Sequence, residues 1–92
     1  MTRKTSRELL DELMDYYVLL AAELFGRGLL TYESATPESK TYLDTCKEMA
    51  YQHCFIILNS QDGLELSDSD YSAAVETIDA GRKAYRKLAS IK

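Results

Sequence analysis

The sequence predicts an all-α fold, an antiparallel up-down-up bundle of three helices that self-associates. Three observations carry this expectation. Apolar side chains recur at helical spacing through three stretches, each stretch opens on an N-cap signal, and two short breaks rich in small and polar residues separate them. The 92 residues make one domain, 1–92, with helices over about 6–25, 37–59 and 68–90.

The first helix opens at Thr5. Thr5 and Glu8 have the T-x-x-E spacing of a capping box, in which each side chain satisfies a backbone N–H of the other residue. Leu10, Leu13, Tyr17, Leu20 and Leu24 then share one face, and Leu9, Met14, Val18, Ala21 and Phe25 widen that stripe. Gly26 suits the residue just past the helix end. Residues 31–35 form the first connection.

Thr36-Pro37 opens the second helix, since proline costs nothing in a first turn. Leu43, Cys46, Ala50, His53 and Ile57 line up on one side, and Tyr51, Phe55 and Leu58 on another. From Tyr51 to Leu58 the helix is therefore apolar nearly all round, which a lone surface helix is not. This segment, through Tyr51, Phe55 and Leu58, is the expected seam of a homodimer.

Asn59 to Gly63 makes the second break, and Ser67 with Asp70 repeats the capping logic for the third helix. Its buried stripe is Tyr71, Ala74, Val75, Ile78, Tyr85, Leu88 and Ala89. Gly81 falls in line with that stripe, where a missing side chain lets a neighbouring helix approach closely. That contact offsets about 1 kcal/mol of lost helix propensity. In the up-down-up arrangement Arg3, Lys4 and Arg7 should meet Asp62, Glu65, Asp68 and Asp70 at one pole.

Composition narrows the function. A formal charge of −4 argues against the whole chain binding phosphate backbones. The longest apolar run, Tyr16 to Ala22, is too short to span a bilayer, and the polar opening residues predict no leader segment. Cys46 and Cys54 on one helix stand about 12 Å apart along its axis, at ~1.5 Å per residue, too far for a disulfide. Free thiols suit a reducing compartment, so a cytoplasmic location is expected.

Chemistry is sparse. His53 is the only histidine. Cys54 beside it diverges by about 100° on a helix, and Cys46 lies about 10 Å away along the axis. Neither spacing brings a base to a nucleophile, so no enzyme is expected and no catalytic residue is assigned. Metal ligands at zinc or calcium spacing are missing, as is a phosphate-binding glycine loop. No metal or cofactor is expected.

What remains is surface. Glu8, Asp11, Glu12 and Asp15 recur at i, i+3, i+4 and i+7, and Glu23 and Glu33 extend the acidic character. Like charges at those spacings oppose helix formation by a few tenths of a kcal/mol per pair. They can be a solvated face near a positive helix end, or a contact for a basic partner. Tyr16, Tyr32 and Tyr42 fall at margins of the stripes, where tyrosine offers large area with a polar tip. These features predict a small acidic interaction module. It would be a regulator or inhibitor of the kind phages and mobile elements encode, covering a surface of a larger, nucleic-acid-binding protein. The alternatives are a nucleic-acid-binding module using Arg82, Lys83, Arg86 and Lys87, or a purely structural oligomer subunit. The basic run has a plainer origin in the negative end of the helix dipole.

Overall fold

The computed structural model describes residues 3–29, 36–60 and 66–90. Among them the fold is three helices and no strand: α1 over Ser6–Gly26, α2 over Pro37–Ser60 and α3 over Asp68–Ser90. Each packs against both of the others. The molecule measures 41 × 26 × 19 Å. Its long axis is close to the length of the helices themselves at about 1.5 Å per residue.

The caps explain where the helices begin. The Thr5 hydroxyl accepts from the Glu8 N–H at 3.2 Å, and the Glu8 carboxylate accepts from the Thr5 N–H at 3.3 Å. The Thr36 hydroxyl accepts from Ser39 N–H, and the Ser67 hydroxyl from Asp70 N–H, both at 3.2 Å. The end of α1 differs from expectation. Gly26 is its last helical residue, and Gly28, with φ of +68°, is the left-handed one. Gly28 N–H donates to the Phe25 carbonyl at 3.0 Å and Leu29 N–H to the Leu24 carbonyl at 2.9 Å. That pair of bonds is a Schellman motif, which needs glycine where φ is positive.

The core is built around four fully buried leucines of α1: Leu9, Leu13, Leu20 and Leu24. Opposite them stand Tyr42, Leu43, Met49 and Ile56 of α2, and Ala74, Ile78 and Leu88 of α3, with Leu66 closing one end. Gly81 is buried against Met49, and a Cβ built there would overlap the Met49 thioether. The close approach expected at Gly81 is present, and Met49 is what fills it.

Two stripes are corrected. Met14, Val18 and Phe25, expected to widen the core face of α1, are exposed, Phe25 at 73%. On α2 the core line is Tyr42, Met49 and Ile56, residues seven apart, with Gln52 beside it. It is rotated by about 80° from the expected line through Leu43, Cys46, Ala50, His53 and Ile57, at 100° per residue. Of that line Leu43 is the one member in the core. Ile57 is exposed and His53 half-buried. The physical reason is the gap at Gly81: the helix turns to seat Met49 there. It does so although this brings Gln52 inside, with its side-chain carbonyl oxygen lacking a partner. Such an orphan costs about 1–3 kcal/mol, a penalty the Met49 contact has to outweigh.

Polar contacts tie α1 to α3 at both ends. Arg3 pairs with Asp68 at 2.9 Å and donates to the Leu66 carbonyl, while its guanidinium lies 4.4 Å from the centre of the Tyr71 ring. At the far end Arg27 donates to the Leu88 carbonyl at 2.8 Å. The charge meeting expected at the first pole is therefore seen between Arg3 and Asp68. Asp62 and Glu65 lie outside the described residues.

Candidate interaction surface

The acidic face does not survive as a single stripe. Glu8 is spent on the cap of α1, where its carboxylate also accepts from the Thr5 hydroxyl at 3.1 Å. Glu12 accepts from Lys4 Nζ and, at 2.9 Å, from an Arg82 guanidinium nitrogen, which makes it a bridge between α1 and α3. That hydrogen bond raises the Lys4 pKa above its ordinary value. Glu23 pairs with Arg27 one turn on, at 3.5 Å. Glu8 is exposed and has no ion pair but is held in the cap, so Asp11 and Asp15 are the two of the five that face solvent with neither an ion pair nor a side-chain hydrogen bond among the described residues.

The two free aspartates do not stand in a polar surround. Met14 lies three residues after Asp11 and Val18 three after Asp15 on the same outer face, and Phe25 continues the line two turns on. The outer face of α1 is thus an apolar strip edged by two carboxylates. Sequence reading placed Met14, Val18 and Phe25 in the core. The interleaved aspartates were the signal that this face is wet.

The expected seam on α2 also faces outward. Tyr51 is 61% and Leu58 66% exposed, and the Tyr51 and Phe55 rings stack at 6.1 Å between centroids with an interplanar angle of 18°. Phe55 is half-buried, with Cys54 exposed beside it. Burial of two such side chains in a contact is worth about 1.5–3 kcal/mol each.

The tyrosines scatter. Tyr42 is not marginal: it is buried, with its hydroxyl lacking a partner. It sits one heptad before Met49 on the α2 core line, which carries it inward with that line. Tyr16 is half-buried beneath the Arg82 guanidinium, 5.1 Å from its ring centre. Tyr32 and Glu33 lie outside the described residues.

The basic run of α3 divides as well. Arg82 turns inward to Glu12, Asp79 (3.4 Å) and Tyr16. Its proton is held more tightly than an ordinary arginine's, first by its contact with the Tyr16 side chain and then by the two carboxylates. Lys83, Arg86 and Lys87 remain exposed on the outer face.

No protein-family model, curated protein or solved structure matches this chain. The surface must therefore be read from its own chemistry. Among the described residues there is no cluster of three or more His, Cys, Asp or Glu placed to hold a metal ion, and no helix is long and apolar enough to cross a membrane.

The thiols are unpaired and unequal. Burial pushes the Cys46 thiol pKa up, whereas Cys54 is exposed. A disulfide reagent at about pH 8 acts through the thiolate. One thiol, Cys54, is expected to react fast and the second only slowly until urea unfolds the chain. A single rate for both thiols would contradict the burial of Cys46.

Proposed function

We propose that the protein is a small non-enzymatic interaction module, a regulator or inhibitor that works by covering a surface of a larger protein. The observation that carries this reading is the outer face of α1, where Met14, Val18 and Phe25 are exposed in line beside Asp11 and Asp15. Large apolar side chains gathered on one face of a small soluble chain mark a contact site. The two carboxylates favour a partner with basic groups at the rim and speed its encounter. The exposed Tyr51 and Leu58, with the Phe55 ring, support a second contact in which two copies meet through α2. The chain path that fits this reading is up-down-up, supported by the short connections and by Arg3 and Arg27 tying the two ends of α1 to α3. The free thiols support a reducing, cytoplasmic setting.

The test places a photo-crosslinking amino acid at position 18 and, separately, at position 83 in the native host. A discrete protein adduct is expected from position 18. It should disappear in Asp11→Lys/Asp15→Lys, whose circular dichroism and melting temperature should stay those of the parent. A nucleic-acid adduct from position 83 with nothing from position 18 would overturn this reading. It would favour phosphate binding by Lys83, Arg86 and Lys87, and that binding should then weaken steeply with salt. The dimer contact is tested by sedimentation: Tyr51→Glu/Leu58→Glu should be a folded monomer, and a monomeric parent would remove the contact through α2.

A further inference from the structure

The end of the bundle where α1 begins holds a half-open cavity of about 490 Å³. This is within the span of about 300–1,000 Å³ typical of small-molecule sites. Leu9, Leu10, Leu66 and the Tyr71 ring give it apolar walls, and Arg3, Lys4 and Arg7 give it a basic rim. No Asp or Glu among the described residues lines it. The three cations are not equivalent. Arg3 is committed to Asp68 and Lys4 to Glu12. Arg7 is exposed and has no ion pair among the described residues.

Three further donors point to an anion. The Ser60 hydroxyl, in the cavity wall at the end of α2, is buried and bonded to nothing. The first turn of α1 leaves the Ser6 and Arg7 N–H groups without intrahelical acceptors, at the positive end of the helix dipole. One uncommitted guanidinium suits a single negative charge better than a phosphate dianion. The largely apolar lining calls for a hydrocarbon portion on the same molecule.

We infer that this cavity binds a carboxylate carried on an apolar tail. The carboxylate accepts from Arg7 and the Ser60 hydroxyl, and the tail lies along Leu9, Leu10 and Leu66. The carboxylate can belong to a free alkyl acid or to the C-terminus of a short peptide ending in an aliphatic residue. Both present the same chemistry.

Titration of the full chain with decanoate, followed by amide nuclear magnetic resonance, tests this. Saturable shifts are expected at Leu9, Leu10, Ser60 and Tyr71. Decanol, with the same tail and no charge, should bind about tenfold more weakly, the loss expected for a hydrogen bond to a charged group. Arg7→Gln should weaken decanoate by a similar factor with an otherwise parental spectrum. Ser60→Ala, which removes the second donor and keeps every charge, should do so too. A pentapeptide ending in leucine, compared with its amidated form in competition with decanoate, distinguishes the two sources. Competition by the free-carboxylate peptide alone assigns the site to peptide ends, and no competition assigns it to free acids. Equal binding of decanoate and decanol, unchanged decanoate affinity in both variants, or no saturable shift below the micelle threshold would overturn the assignment.

Discussion

Gly81→Leu is expected to destabilise the protein by about 3 kcal/mol, the upper part of the usual range for overpacking a filled core. Gly81 has no room for a side chain because the Met49 thioether occupies the space where its Cβ would stand. Met49 is itself fully buried, so its thioether makes room for a leucine only by displacing other core side chains. For a chain of this size the loss corresponds to a fall in Tm of about 12–24 °C. The decisive measurement is a double-mutant cycle. Met49→Ala alone leaves a cavity and costs about 2–5 kcal/mol. Combined with Gly81→Leu it should cost less than the sum of the two by at least about 1 kcal/mol, because the new leucine fills the vacated space. Strict additivity would mean that Met49 and Gly81 do not share a contact.

Leu20→Ala should cost about 3 kcal/mol in urea unfolding, a large part of the roughly 5–15 kcal/mol that holds a domain together. Phe25→Ala removes a larger side chain five residues on and should change stability by less than about 0.5 kcal/mol. The contrast follows from position alone: Leu20 is fully buried between the helices, while Phe25 is largely exposed. If Phe25→Ala proves as costly as Leu20→Ala, the outer face of α1 is covered by something, and a second copy is the first occupant to test by repeating the measurement at lower protein concentration.

The same contrast marks how far the sequence could be read. Helix existence and helix starts were legible because their causes are local. Thr5, Thr36 and Ser67 each satisfy a backbone N–H within three residues, and no distant partner is needed. The core face of α3 was legible too, since Ala74, Ile78, Gly81 and Leu88 fall on one regular line. The end of α1 was less so. Gly26 and Gly28 are equally able to adopt positive φ, and the choice of Gly28 rests on which carbonyls remain to be satisfied once the helix stops.

The candidate surface was harder. Glu8, Asp11, Glu12 and Asp15 look alike along the chain, yet Glu12 is claimed by Arg82 from seventy residues away. Only a neighbouring helix could decide that, and the same pairing withdraws Arg82 from the basic run. On α2 the chain is apolar on several sides between Tyr51 and Leu58, so periodicity admits more than one inward face. Gln52 on the true core line argued against the one the fold adopts.

Local backbone chemistry and the 3.6-residue spacing of apolar side chains were enough for the sequence to determine three helices, their N-terminal caps and the small-residue gap at Gly81. The rotation of α1 and α2 about their own axes was decided only by tertiary structure, because it depends on which knob meets which gap across two elements. Met49 entering the space at Gly81 turns Tyr42 and Ile56 inward with it. The large side chains left outside, Tyr51 and Leu58 on α2 and Val18 and Phe25 on α1, are what the packed core did not use.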